Sequence, residues 1–391
     1  MIICDMVHLN QRAGTYVLFG SDRRLYLAQA GGLPVPIIHL PGIDTKAKIK
    51  LYVHEPWVCV TERFGTHAVL VHLENASVRE MCREDYHANV SSYSVGFLER
   101  NGRTLLIHQT EWNRLDIMDA ITGECLTARE IDRIEKEPGH WGEDDEWVSP
   151  IYEEKNYIDY FHSLLHVSPN GEYFLSNGWI WTPIGQIICF RSDDFIKRYE
   201  QSNVSIDYSS TYNWDRPCAF IDDNRFVIAV DDMHKSDQLD DADLKSYHYK
   251  QLLSYRLDIP VAENQYGELA LLKEREVYCS AFKPDKEGYV HGELVWDAEY
   301  GFLVAITPDG AFAINLDGQV LKSMPDCKCK KDFPFADHGR PNNKCEGWHY
   351  NPEQHLLYSW SQAANAIEER RFSCSNITGS TPSSGLSTKL T

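Results

Sequence analysis

Short apolar runs alternate with polar positions along the chain, and Gly, Pro and Asn separate the runs. The stretch Leu165–Phe190 has the clearest pattern. Its apolar run Leu165–Val167 precedes Ser168–Gly171, in which Pro fixes φ at the second position while Asn and Gly tolerate positive φ. Glu172–Ser176 then alternates with the period of a strand, and Asn177–Gly178 predicts a second tight turn. The stretch predicts a three-stranded meander, which must pack against other units to be stable.

Groups of three or four such strands follow one another along the rest of the chain. Their first strands are predicted at Met1–Leu9, Ile49–Val53, Tyr93–Leu98, Cys218–Ile221, Leu294–Asp297 and Gly347–Tyr350. Four-stranded units with a period of roughly 40 residues or more are the signature of a β-propeller. We therefore predict an all-β fold, a single β-propeller over residues 1–371, with seven blades favoured and six or eight left open.

The two ends of the chain have different expected roles. The last group shows only three strands and an open ring would expose strand edges, so we expect Ile2–His8 to pair as a strand with a terminal blade. Residues 372–391 are rich in Ser and Thr with little to bury, which predicts disorder. Residues 129–137 and 363–370 could each form a short helix, although a strand is also predicted at Ala366–Arg370.

A turn motif recurs at Ser168-Pro-Asn-Gly171 and Thr307-Pro-Asp-Gly310, with a weaker copy at Asn351-Pro-Glu353. With these turns the chain resembles the divergent WD40-like β-propellers of bacteria, whose blades often carry a Ser-Pro-Asp-Gly turn. The resemblance covers residues 15–370 as a pattern and implies the fold, but no catalytic residues. We expect positive φ at Gly171, at Gly310, or at both.

The longest insertions are expected on one face of the propeller. If the strands of a blade are lettered A to D from axis to rim, the B–C and D–A connections share a face. Insertions 131–161 and 325–346 are predicted as D–A connections, and insertion 231–249 as a B–C connection. Trp179 and Trp181 fall in another B–C connection. Long loops on a rigid scaffold are where function usually lies.

These loops combine tryptophans with carboxylates. Glu143–Glu146 lies between Trp141 and Trp147, and six aspartates occupy 231–243. Aromatic rings and carboxylates together attract cationic groups. We therefore hypothesise a partner-binding surface that contains Trp141, Trp147, Trp179, Trp181, Asp231 and Asp232. The alternative is that the acidic loops are simply solvated and the tryptophans pack locally.

The charge balance narrows the classes of partner. With 58 acidic and 38 basic residues the net charge is -20, which disfavours nucleic acid and anionic membranes as partners. No apolar run reaches the ~20 residues that span a bilayer, and the first residues lack the features of a signal peptide. Eleven cysteines, several of them in apolar strands, suggest reduced thiols and a cytoplasmic location.

One cluster of metal-ligating residue types needs weighing. Cys327, Cys329, Cys345 and His349, with His338 between them, could bind zinc. The alternative is free thiols in a loop, and no cofactor is then expected. The aspartates of 231–243 lack the order of an EF-hand calcium loop.

The function that these features favour is a non-catalytic scaffold that binds a protein or peptide, possibly a basic one, on its acidic aromatic loop face. The alternative is a metal-dependent hydrolase similar to lactonases, with zinc or another divalent metal in the central funnel. An enzyme of that kind takes its ligands from several blades, so local motifs neither support nor exclude it.

Overall fold

The computed structural model describes residues 2–130, 132–142, 146–181, 184–198, 203–211, 214–231, 250–257, 262–263, 269–271, 273–283, 290–329 and 347–372. Over these residues the chain forms a single seven-bladed β-propeller with almost no helix. The all-β prediction and the preferred blade number are confirmed.

The first three blades take their strands in chain order. Blade 1 contains β1 (Ile3–His8), β2 (Thr15–Gly20), β3 (Arg24–Gln29) and β4 (Val35–His39). Blade 2 contains β5 (Ile49–His54), β6 (Trp57–Glu62), β7 (His67–His72) and β8 (Val78–Cys82). Blade 3 contains β9 (Val95–Arg100), β10 (Arg103–Glu111) and β11 (Arg114–Asp119). Between blades 3 and 4, β12 (Asp132–Glu137) pairs with β15 (Ile151–Lys155), and β13 (His140–Trp141) pairs with β14 (Trp147–Val148).

The other four blades follow the same scheme. Blade 4 contains β16 (Phe161–Val167), β17 (Tyr173–Ile180), β18 (Ile184–Arg191) and β19 (Asn203–Thr211), and helix α1 (Ser192–Arg198) joins the last two. Blade 5 contains β20 (Cys218–Phe220), β21 (Arg225–Asp231), β22 (Lys250–Arg256) and β25 (Lys273–Tyr278). Blade 6 contains β26 (Glu293–Asp297), β27 (Phe302–Thr307), β28 (Gly310–Ile314) and β29 (Val320–Met324). Blade 7 contains β30 (Trp348–Asn351), β31 (Leu356–Ser361) and β32 (Ala366–Arg371).

The hydrophobic core lies between neighbouring blades. Every residue of β6 and β27 is buried, because a B strand packs against a neighbouring blade on both sides of its sheet. The outermost strands β4 and β29 are largely exposed. Separate apolar clusters fill the seams, for example that of Val17, Phe19 and Leu51 between blades 1 and 2. This explains why inner strands have continuous apolar runs in the sequence while rim strands are mixed.

The predicted pairing of Ile2–His8 with a terminal blade is confirmed, because β1 pairs with β2 as the innermost strand of blade 1. It adds no strand to blade 7, which has three strands among the described residues. Side chains close the ring instead: Tyr16 donates from its hydroxyl to Glu369 Oε1 (2.6 Å), and Gln362 Nε2 donates to the carbonyl of Ile3 (3.2 Å). An apolar cluster from both blades surrounds these contacts.

The outer strand of blade 5 is separated from the third strand by a long connection. β25 fills this outer position and pairs with β22. The short strand β24 (Leu269–Leu271) instead pairs in parallel with β19 of blade 4, and β23 (Ala262–Glu263) lies beside it. The chain between two strands of blade 5 thus ties two blades together at the rim.

Both possible helices are absent from the described residues. β12 covers most of 129–137, and β32 covers most of 363–370, so the strand predicted at Ala366–Arg370 is confirmed. The one helix over the described residues is α1, which carries Asp193 and Asp194 in its first turn.

The inner strands run in the same direction around the axis. Residues near their first positions meet across it: Leu51 N donates to Asp5 Oδ2 (2.7 Å), and Lys50 Nζ lies 3.2 Å from Glu293 Oε1. We call the face at which these strands begin the upper face and the opposite one the lower face. The B–C and D–A connections therefore leave from the upper face, and the three longest insertions are attached there.

The two copies of the turn motif lie on opposite faces. Ser168–Gly171 joins the first two strands of blade 4 at the lower face, whereas Thr307–Gly310 joins the middle strands of blade 6 at the upper face. Gly171 has φ +67° and Gly310 has φ +148°, so the expectation of positive φ is confirmed at both.

Candidate functional site

A layer of stacked aromatic side chains lies beneath the upper face between blades 3 and 5. Trp179 stacks on Phe161 with ring centroids 3.7 Å apart and on Trp214 at 5.2 Å. All three are buried, and Trp179 is 2% exposed. The indole of Trp179 donates to Ser91 Oγ (2.9 Å), so this predicted binding residue lies in the core with its polar atom satisfied.

The close stacking depends on a glycine inside β17. Asn177–Gly178 was predicted to be a turn, but both residues lie within that strand. A Cβ at position 178 would lie 1.9 Å from the carbonyl oxygen of Phe161, so only glycine lets the two strands approach there. The register between β16 and β17 also shifts between Phe161 and Leu164. Asn-Gly is a common turn pair, and only the tertiary packing explains its place in a strand.

Exposed aromatic groups lie over this buried layer. Trp181 is 47% exposed, and its ring centroid lies 5.1 Å from that of His87 and 5.2 Å from that of Phe161. Tyr86 is 44% exposed and lies 5.8 Å from Trp112. We call Tyr86, His87, Trp112 and Trp181 the aromatic rim. Burial lowers the pKa of His87, which favours its neutral form.

A buried arginine positions half of the aromatic rim. Arg83 is 5% exposed and donates hydrogen bonds to the carbonyl groups of Gly65, Ala88 and Ser91 and to the side chain of Gln109, at 2.6–2.9 Å. Two of these acceptors belong to the connection that carries Tyr86 and His87. The charge of one side chain therefore holds an irregular loop against the disc, which neither spacing nor composition revealed.

The insertion between blades 3 and 4 forms a projecting antiparallel hairpin. β12 pairs with β15 from Asp132↔Lys155 to Glu137↔Ile151, and β13 and β14 pair beyond them. We call residues 132–155 the arm. At its tip Trp141 and Trp147 pair edge to face with ring centroids 5.4 Å apart. They are 68% and 49% exposed, so both predicted residues present apolar surface to solvent.

The arm is strongly acidic, and its few basic groups are already paired. Residues 130–155 contain ten Asp and Glu but only three Arg and Lys. Arg133 lies 3.0 Å from Glu154 and stacks on Tyr152, Lys136 pairs with Glu153, and Lys155 lies 2.8 Å from Glu130. The excess carboxylates therefore give the surroundings of the exposed tryptophans a negative potential.

The structure describes only the first of the predicted aspartates. Asp231 is the last residue of β21 and pairs in register with Lys250, so its backbone lies at the upper face. Asp232 and the remaining aspartates of 231–243 lie outside the described residues. The backbone of Asp231 therefore lies at the same face as the arm and the aromatic rim.

A polar cavity of about 300 Å³ lies on the axis below the upper face. Lys50, Glu293 and His349 meet on one side of it. Nζ of Lys50 lies 3.2 Å from one oxygen of Glu293, and Nδ1 of His349 lies 3.3 Å from the other. Burial would lower the pKa of His349, but the neighbouring carboxylate of Glu293 raises it overall. The same neighbours lower the pKa of Glu293 against the effect of burial.

The proposed zinc ligands are spread over different environments. Cys327 is fully buried in the seam between blades 6 and 7, whereas Cys329 and His349 line the cavity. Cys345 and His338 lie outside the described residues. Within the part of the chain that is described, no three His, Cys, Asp or Glu side chains are placed to share one metal ion. The zinc site and the metal-dependent hydrolase therefore stay predictions.

Solved structures of other proteins share this architecture. One described as the mitotic checkpoint complex contains a chain that is 10% identical, with a TM-score of 0.52, over 94% of this chain and 88% of that one. The Pan2 WD40 domain of Neurospora crassa is 8% identical with a TM-score of 0.50, over 92% of this chain and 85% of its own. The fold is that of the WD40-like β-propellers.

A further propeller, BamB from Moraxella catarrhalis, is 12% identical over 95% of this chain and 85% of its own, with a TM-score of 0.45. No protein-family model and no curated protein matches the sequence. The described residues contain no helix that is both long and apolar enough to cross a membrane. At these identities the likeness establishes the fold alone.

Proposed function

We propose that this WD40-like propeller is a non-catalytic scaffold whose upper face binds a protein or peptide that carries Lys or Arg. The observation that supports it most is the exposed tryptophan pair at the tip of an acidic arm. Trp141 and Trp147 leave about half or more of their surface in water, which costs free energy unless a partner covers them. Tryptophan is also enriched among the residues that dominate binding energy.

The arm and the aromatic rim are continuous. Tyr157 lies at the base of the arm, and its ring centroid is 6.3 Å from that of Trp112 in the aromatic rim. The hydroxyl of Tyr157 accepts a hydrogen bond from Arg133 (3.1 Å). A peptide on this surface would meet Trp181 and Tyr86 on the disc and the tryptophan pair on the arm. Lys or Arg side chains would gain from the carboxylates and from the ring faces. Asp231, whose backbone lies at this face, and Asp232, which follows it in the sequence, would add to this attraction, while Trp179 would support the surface from below.

The indole of Trp147 packs closely against the backbone at Gly139, which favours binding over chance exposure. A Cβ at position 139 would lie 2.5 Å from the indole of Trp147 and 2.9 Å from Pro150. Glycine at 139 thus allows the indole to lie against the backbone and fixes one face of it. A side chain held in place before binding loses less entropy when a partner arrives.

The test is to compare partner capture by the full chain with that of variants. Trp141→Ala together with Trp147→Ala should remove most capture, and Trp181→Ala should weaken it, with melting temperatures unchanged. The matched control is Tyr278→Ala, since Tyr278 is similarly exposed (46%) but lies on the outer strand of blade 5.

Binding of the captured partner should weaken as salt rises, because added ions screen the acidic arm beyond about 10 Å at 0.1 M. The proposal fails if the tip variant captures the same proteins as the wild type, or if affinity does not change with salt.

A further inference from the structure

The carboxylates that line the axial cavity already interact with groups of the protein, whereas some of the donors there do not do so within the described part of the chain. Both carboxylates that line it are already engaged. Glu293 uses one oxygen on Lys50 and the other on His349. Asp215 accepts from Leu164 N at one oxygen (2.9 Å) and from Ser92 Oγ at the other (2.6 Å). Each of the four carboxylate oxygens therefore already contacts a hydrogen-bond donor or a basic side chain of the protein.

Donors remain on the same walls. A lysine ammonium has three donors, and Lys50 directs one at Glu293 among the described residues. His166 also lines the cavity, and its Nε2 is buried without a hydrogen-bond partner among the described residues. Burial lowers the pKa of His166 to about 4, so its ring is neutral and can donate from one nitrogen. A buried polar atom of this kind costs free energy until something bonds to it.

The charge of the walls is opposite to that of the whole chain. Lys50, Arg63 and Arg216 line the cavity against the carboxylates of Glu293 and Asp215, so basic side chains outnumber acidic ones on its walls. Asp5 interacts with Lys50, and burial raises the pKa of the Asp5 carboxyl above its ordinary value. In a protein of net charge -20, this gives a local site for an anion.

The volume of the cavity and its apolar lining residues further restrict the class of ligand. A volume of about 300 Å³ is at the small end of ligand pockets, and Val290, Leu294 and Trp348 supply apolar surface. We propose that the axial cavity binds a small organic carboxylate, with the Lys50 amine and the His166 imidazole as donors to its oxygens. A cation is disfavoured because the carboxylates are occupied. This site is separate from the upper-face surface, so either proposal can fail alone.

Three probes of equal length and different charge test the sign of the site on the wild-type chain. Succinate, butane-1,4-diol and butane-1,4-diamine should be added at about 10 mM with ionic strength matched by NaCl. Succinate should raise the melting temperature by about 2 °C, as a ligand of roughly millimolar affinity would. The diol and the diamine should leave it unchanged. Equal shifts with all three probes, no shift with succinate, or a larger shift with the diamine would overturn the proposal.

Variants then locate the site. Lys50→Met and His166→Gln should each weaken succinate binding, by at least about tenfold for the lysine, when affinity is measured calorimetrically. Lys283→Met is the matched control, because Lys283 is an exposed lysine paired with Asp309 outside the cavity (3.3 Å). Its affinity should stay within roughly twofold of the wild type. If the control variant loses as much affinity as Lys50→Met, succinate binds elsewhere and the cavity is not the site.

Discussion

The two faces of the propeller are built differently. On the lower face, short turns of neighbouring blades are joined by polar contacts, such as Gln11 N to Glu55 Oε1 (2.6 Å) and Asn170 N to Asp223 Oδ1 (2.9 Å). On the upper face, long connections bear exposed aromatic groups over a buried aromatic layer. Short turns on the lower face thus connect neighbouring blades, whereas longer connections on the upper face expose aromatic side chains to solvent.

The two faces also differ in how their charged side chains are paired. At the lower face His355 lies 2.7 Å from the buried Asp297 of blade 6 and 3.0 Å from Glu299. His54 of blade 2 likewise lies 2.8 Å from Glu99 of blade 3. On the arm, carboxylates outnumber basic groups threefold. Paired charge at a seam stabilises the ring, whereas excess charge beside exposed tryptophan is suited to binding.

The largest expected effect on stability distinguishes a buried tryptophan from an exposed one at the upper face. Trp179→Ala should lower the free energy of unfolding by about 3–5 kcal/mol, because it empties the layer between Phe161 and Trp214. Trp181→Ala should cost less than about 1 kcal/mol, since nearly half of that side chain is in water. Denaturant unfolding of both variants checks this. Similar losses in the two would mean that the aromatic rim is part of the core.

The next effect compares the same turn motif on the two faces. Gly310→Val should cost about 2 kcal/mol, because its Cβ would lie 2.8 Å from Pro325 Cα and 2.9 Å from the carbonyl oxygen of Met324. Gly171→Val should cost about 1 kcal/mol, since its nearest contact is Leu98 Cβ at 3.1 Å. Thermal unfolding gives the order. If the two costs were reversed, backbone strain would outweigh the crowding that distinguishes these sites.

The smallest effect depends on pH and concerns the lower face. Burial would lower the pKa of His355, but hydrogen bonds to Asp297 and Glu299 raise it overall. A raised pKa means that the protonated ring stabilises the fold fully below the unfolded value near 6.5, and that this contribution is lost as pH rises through the folded value.

The wild type should therefore be more stable than His355→Gln by about 1 kcal/mol at pH 6, and the difference should shrink by pH 9. Urea unfolding at both pH values measures it. His349 also titrates with a raised pKa, but it is present in both proteins and cancels in the difference. A difference that grows with pH would mean that the ring is neutral in the fold.

The sequence by itself determined the all-β class, favoured seven units over six or eight, and predicted the face to which the long connections attach. These follow from local patterns, because strand period and turn residues act within a few positions of each other. Gly171 and Gly310 are examples, since the turn chemistry alone predicted their positive φ. The tryptophans of the arm could likewise be singled out from the acidic residues beside them.

Only the tertiary structure decided which of these residues are surface and which are core. Trp179 and Trp181 are two positions apart in sequence, yet one is stacked in a buried layer and the other faces water. The axial cavity had no signal in the sequence, because Lys50, His166, Glu293 and His349 come from four blades and meet only when the ring closes. The same holds for β24, whose partner β19 lies in another blade and more than fifty residues earlier in the chain.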